Sequence, residues 1–281
     1  MTMEKKIVAR ILPGLLLVSI FHLIQTGDLA AQSITLRYGH SGGTLLSYGL
    51  TVVTPTPQAS QEIRLTLTQE VNSVTPEGIM DIDTSFSNGT MIINGVSHPF
   101  PIQGEVLNTK MSRRGVVIEN TAKGQYQDLL ARAGFSSFTS VSGDIFRSLG
   151  VLEFPEASVS VGGTWSVTKT ETFPSGESLT ITYNYTLEAL VSYGGYNCAQ
   201  IKIEAQPRIS FYQDFPTLRR GMHLNGDVKV AGTLLFAHGE GKIVKLSETI
   251  ETNGVGTAIS YEGSATVIPL YQKSTISLEI E

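Results

Sequence analysis

Leu179-Thr180-Ile181-Thr182-Tyr183-Asn184-Tyr185-Thr186-Leu187 places a large apolar or aromatic side chain at every odd position and a small polar one at every even position. A period of two marks a strand with one face on a core and the other in water; a helix would scatter the same five large residues around its axis. The pattern recurs in Ile63, Leu65 and Leu67 against Arg64, Thr66 and Thr68, and in Ile201 and Ile203 against Lys202 and Glu204. It returns near the end, in Ile276, Leu278 and Ile280 against Ser277, Glu279 and Glu281. Strands with one wet face belong to antiparallel sheets rather than to parallel sheets covered by helices.

Pro76-Glu77-Gly78, Asn88-Gly89, Asn94-Gly95, Gly194-Gly195 and Asn253-Gly254 read as the turns between such strands. Helical character is confined to Gln125–Ala133, stopped by Gly134, and Asp144–Leu149, closed by Gly150. The expected fold is all-β and mainly antiparallel with a short helical insert, forming a curved sheet or half-open barrel. A first β-rich half covers 32–121, the helical insert 122–152 and a second β-rich half 153–281. Gly42-Gly43-Thr44 opens the first half and Gly162-Gly163-Thr164 the second, and each leads into an alternating strand, a proline-bearing gap and another strand. Duplication explains that order, as does the general likeness of one long meander to another.

Residues 1–31 have the layout of a secretory signal. Lys5, Lys6 and Arg10 give a cationic start, Ile11 to Ile24 is mostly apolar, and Leu29-Ala30-Ala31 offers a cleavage site. Pro13, Gly14, His22 and Gln25 interrupt the run and disfavour the alternative of an uncleaved membrane anchor. Cleavage near Ala31 leaves Gln32 first, where a bacterial lipoprotein would need cysteine. The expectation is a periplasmic or secreted protein that is not acylated. Removing 1–31 takes three of 20 basic and two of 25 acidic side chains, leaving 17 against 23, a net charge of −6. Such a balance argues against nucleic acid as a partner. Charged residues make up only 16% of the chain against 41% hydrophobic, which suits a globular protein with a sizeable core.

Catalytic and metal motifs fail on spacing. Cys198 is the one cysteine, so neither an internal disulfide nor a cysteine–zinc cluster is available, and its phase with Gln200, Lys202 and Glu204 suggests partial exposure. His40, His98, His223 and His238 form no metal-spaced pair. Ser166-Val167-Thr168-Lys169 imitates a serine–lysine motif, but on a strand the odd spacing sends the two side chains to opposite faces. Gly239-Glu240-Gly241-Lys242 has too short a glycine spacing for a phosphate loop, and Ile243 follows where Ser or Thr is needed. Asp81 and Asp83 share a strand face, as do His223 and Asp227; these are the candidates for acid–base work, against the plainer reading of wet faces. No metal and no cofactor is expected. Phe211-Tyr212-Gln213-Asp214-Phe215-Pro216, followed by Arg219 and Arg220, is unusual for a loop. Phe211, Tyr212, Phe215, Arg219 and Arg220 are the candidate ligand-binding residues, as an aromatic lip with arginines for an anionic head; alternatively the loop folds over a sheet edge to cover core.

Phe154-Pro155, Val161-Gly162-Gly163-Thr164-Trp165 and Tyr196-Asn197-Cys198-Ala199-Gln200-Ile201 together resemble a family of exported bacterial proteins. In that family a proline-bearing segment leads to a Gly-x-Thr/Ser-Trp strand, and a Gly-x-x-Cys-Ala-x-Ile strand follows one hairpin later. The resemblance covers about residues 154–204 and implies export and a β-rich fold without specifying an activity. Long antiparallel strands broken by helices are also similar to the periplasmic lipoprotein-carrier superfamily, which implies a sheet curled over a greasy cavity. The function expected first is non-catalytic binding of an apolar ligand, a lipid or a lipidated protein, in a concave sheet. The alternatives are a scaffold with simply packed faces and a hydrolase using Asp81, Asp83 or His223.

Overall fold

The computed structural model describes residues 33–55, 60–100, 106–123, 152–172, 178–215 and 220–281. In chain order the strands are β1 (Ser33–Ile34), β2 (Leu45–Pro55), β3 (Ser60–Val74), β4 (Met80–Ile93), β5 (Val96–Pro99), β6 (Val106–Met111), β7 (Val117–Lys123) and β8 (Val159–Ser160). They continue as β9 (Thr164–Thr172), β10 (Ser178–Tyr193), β11 (Tyr196–Ala205), β12 (Arg208–Phe215), β13 (Arg220–Ala237), β14 (Lys242–Ser260) and β15 (Ala265–Ile280). β1 and β8 pair with each other. The rest form one 13-stranded sheet in the order β7-β6-β4-β3-β2-β15-β14-β13-β11-β10-β9, with β5 beside β4 and β12 beside β13. Neighbouring strands are antiparallel, and the sheet is not closed into a barrel, its two ends being β7 and β9.

The last strand joins the halves. Thr275–Ile280 of β15 pairs with Tyr48–Val53 of β2, so both halves share one sheet. A row of apolar pairs crosses that seam: Leu187, Ile201, Leu234, Leu246, Leu278, Leu50 and Leu65 face one another in turn from β10 to β3. All seven are buried. On β10, Leu179, Ile181, Tyr185 and Leu187 are buried while Thr180, Thr182 and Asn184 are exposed, as the alternation requires.

A flat sheet could not bury that face, and backbone hydrogen bonds show how this one does. Tyr38 N–H donates to Arg113 O in the β6–β7 turn (2.7 Å), and the next residue, Gly39, donates to Gly241 O in the β13–β14 turn (3.1 Å). In a flat sheet those turns would lie six strand spacings apart, roughly 29 Å at about 4.8 Å each. One peptide unit spans them here, so the sheet is strongly curved and the segment around Tyr38 straps one end of it. A second segment joins the strap: Leu152 N–H donates to Tyr38 Oη (2.7 Å) and Phe154 N–H to Arg114 O (2.7 Å). Phe154 packs on Phe236 with ring centroids 4.5 Å apart.

Several expectations are corrected. Among the described residues no helix occurs; residues 122 and 123 belong to strand β7, and Gln125–Ala133 and Asp144–Leu149 lie outside the described residues. Asn88-Gly89 is a bulge within β4, two residues opposite Leu65, with Asn88 at φ 52°. Asn253-Gly254 lies mid-strand in β14, where Gly254 faces Gly226 and a Cβ on either would strike the opposing backbone. Phe211–Phe215 is strand, not loop: β12 continues the line of β11 past Pro207, whose carbonyl accepts Val228 N–H (2.9 Å). Cys198 is fully buried, because the outer face carries its own small apolar cluster of Cys198, Ala237 and Val244 flanked by Tyr193 and Tyr196.

Both halves open on the same turn, one residue out of step with the Gly-Gly-Thr match. Thr44 N–H donates to Ser41 O with Gly43 at φ 82°, and Gly163 N–H donates to Ser160 O with Gly162 at φ 84°. Gly43 and Thr44 then exchange backbone bonds with Val71, as Gly162 and Gly163 do with Leu187.

Candidate functional site

The curved face of the second half contains a hollow. β10 supplies Leu179, Ile181, Tyr183 and Tyr185; β13 supplies Val228 and Val230; β14 supplies Leu246, Glu248 and Ile250. Lys169 of β9 and Leu152 of the covering segment complete the rim of the described wall. A cavity of about 60 Å³ sits within about 760 Å³ of non-protein space that runs out to solvent. The aromatic side of the wall is rigid: Tyr185 stacks on Trp165 at 5.3 Å, and Trp165 Nε1–H donates to Glu153 O at 3.0 Å.

Glu248 is the unusual member. It follows Leu246 and precedes Ile250 on the inward face, opposite Gly232 and Ile276. The missing side chain at Gly232 leaves room beside it, since a Cβ there would press on Glu248 Cβ. The carboxyl is partly accessible through the mouth of the hollow yet ringed by apolar groups, and loss of hydration pushes its pKa up to about 7. Burial also raises the Tyr185 phenol, helped by Tyr183 and then by the Glu248 charge. A carboxyl that holds its proton more tightly when folded stabilises the fold fully below its ordinary value near 4.5, and that contribution is lost as pH rises through about 7. Glu248→Gln removes the titration. The variant is expected to match the wild type near pH 4.5 and to exceed it by on the order of 2 kcal/mol at pH 8. Urea midpoints across that range check this, and equal midpoints at pH 8 would refute it.

Of the residues expected from sequence to form a lip, Tyr212 is not among those that line this hollow. Tyr212 lies opposite His223 on the outward face, its ring over Gly221, and is 38% exposed. Phe211 and Phe215 occupy register positions opposite Leu224 and Arg220, Arg220 opens β13, and Arg219 lies outside the described residues. Just before this stretch, Pro207 and Ile209 line the hollow. Asp81 and Asp83 do share a face, where Asn108 Nδ2–H₂ donates to both carboxylates at 2.6 and 2.7 Å. His223 is half-buried on β13, separated from them in sheet order by β3, β2, β15 and β14. Ser166 is exposed and Lys169 half-buried on the opposite face. Among the described residues no group of three His, Cys, Asp or Glu side chains could hold a metal ion.

Burial and then the Glu240 charge raise the Cys198 thiol. Its reaction with a disulfide reagent in native buffer is therefore expected to be at least 100-fold slower than in urea, with thiolate absent and access blocked. A rate ratio near one would show that the outer cluster is open. No protein-family model matches this chain, and no curated protein matches it.

Proposed function

We propose that this chain is an exported, non-catalytic bacterial envelope protein that holds an apolar ligand, or the apolar part of a lipidated partner, in the concavity of a half-open barrel. The observation that carries this reading is the hollow, an apolar wall built by five strands beside space that runs out to solvent. The signal-like layout of residues 1–31 supports export, as does the resemblance carried by Phe154-Pro155, Trp165 and Cys198. The shared opening turns support a duplicated origin of the two halves.

Native mass spectrometry of gently purified protein, followed by organic extraction, is expected to show a co-purifying amphiphile. Stripped protein is expected to take up the uncharged dye N-phenyl-1-naphthylamine saturably. Intact mass is expected to match a chain starting near Gln32 without acyl groups. No amphiphile and no saturable uptake would favour a scaffold instead. That second reading has its own observation: Val255, Ile259, Val267 and Tyr271 are exposed on β14 and β15, where β15 extends beyond its pairing with β2.

A further inference from the structure

We propose that the hollow takes a single-chain amphiphile with an uncharged hydroxyl head, and that Glu248 and Tyr185 together read that head. The proposal rests on the ligand-binding function above and names its ligand class. Size decides the first part. A cavity of about 60 Å³, at roughly 10–15 Å³ per water-sized sphere, accepts a file of about five such spheres. That volume suits the end of one hydrocarbon chain, with the remainder in the open part of the hollow, and is small for the two chains of a diacyl lipid.

Hydrogen-bonding capacity decides the second part. Among the described residues neither the Glu248 carboxyl nor the Tyr185 hydroxyl has a hydrogen-bond partner, although Tyr185 is 4% exposed. A polar group left unpaired against an apolar wall is disfavoured, and a bound group of matching polarity would supply the missing hydrogen bond. An alcohol offers one donor and two acceptor lone pairs, so it donates to Glu248 and accepts from Tyr185 O–H. An ammonium has three donors and no acceptor, so it leaves the phenol unserved, and its charge loses hydration against the apolar wall. A carboxylate has no donor and brings a second negative charge to Glu248. Among the described residues, the charged and titratable groups near the carboxyl are Lys169 on β9 and Tyr183 and Tyr185 on β10, with Tyr38 and Glu153 reaching Tyr185 electrostatically.

The test uses the full mature chain loaded with N-phenyl-1-naphthylamine and displaced by 1-decanol, decylammonium or decanoate at pH 7.5, all below their aggregation limits. Decanol is expected to displace the dye at least tenfold more tightly than either charged chain. In Glu248→Leu the three are expected to fall within about twofold of one another. Glu248→Gln keeps an acceptor and a similar size; it is expected to keep decanol and to gain affinity for decanoate. Decanoate equal to decanol in the wild type, or an unchanged preference in Glu248→Leu, would overturn the assignment while leaving the cavity reading intact. Absence of dye uptake in the wild type would overturn both.

Discussion

Leu278→Ala is expected to lower stability by about 3–5 kcal/mol and to leave a single unfolding transition for the whole sheet. Leu278 has no exposed surface and sits in the apolar row between Leu246 on β14 and Leu50 on β2. Deleting a fully enclosed leucine side chain costs its transfer free energy plus the cavity left behind, together about 2–5 kcal/mol. The upper part of that range fits a residue flanked by buried leucines on both neighbouring strands. Among the described residues, the β15–β2 ladder is also where the 13-stranded sheet passes from one half to the other. A loss there is felt on both sides. Ile268→Ala, in the same strand at 40% exposure, is expected to cost no more than about 0.5–1 kcal/mol. Urea denaturation followed by circular dichroism separates the two. Two transitions in Leu278→Ala would mean that the halves hold their folds independently.

What sequence made legible was the facing of the strands. Leu179, Ile181, Tyr185 and Leu187 turn inward because their alternation is unbroken, and one buried face leaves no freedom of register. Strand length was less legible. Asn253-Gly254 has the composition of a hairpin turn, yet its glycine answers a different need, the close approach of β13 and β14 at Gly226. Local chemistry does not separate these uses of glycine, since both are set by whether the flanking backbone reverses. Cys198 illustrates the same limit from the other side: its phase assigned it correctly to the outward face, but that face is covered there by Tyr196 on its own strand and by Tyr193 across the hairpin turn.

The site was less legible than the fold. The aromatics from Phe211 to Phe215 drew attention because they are contiguous, but on a strand adjacent residues face opposite ways, and only alternate ones share a wall. Glu248 carried the better signal. It stands in phase with Leu246 and Ile250, where an acidic residue interrupts an apolar face, a placement costly without a compensating use. Pairing Glu248 with Tyr185 needed the sheet order, because β10 and β14 are brought near by β11 and β13 rather than by anything in their own sequences.

Gly241→Ala is expected to cost about 3–5 kcal/mol and to release the strap that holds the curved sheet at one end. Gly241 has φ 68°, where an alanine is already strained by about 1 kcal/mol. The larger effect is steric. A Cβ at this position would overlap the backbone of Gly39 and approach Arg37 O at 2.8 Å, and neither is a flexible side-chain end that can swing away. The strap must therefore move off the β13–β14 turn, losing the Gly39–Gly241 hydrogen bond and loosening Leu36 and Tyr38, which are 0% and 2% exposed. Partial exposure of two such side chains accounts for most of the loss, at about 1.5–3 kcal/mol each when fully buried. Gly43→Ala is the matched control: its φ is 82°, but nothing lies within 4 Å of the added methyl, so only the conformational cost of about 1 kcal/mol remains. Hydrogen exchange at the amides of Tyr38 and Gly39 reports the strap directly. Those amides are expected to lose protection in Gly241→Ala and to keep most of it in Gly43→Ala. Equal costs for the two substitutions, with both amides still protected, would show that the crossing at Gly39 and Gly241 is loose and that the sheet holds its curvature without the strap.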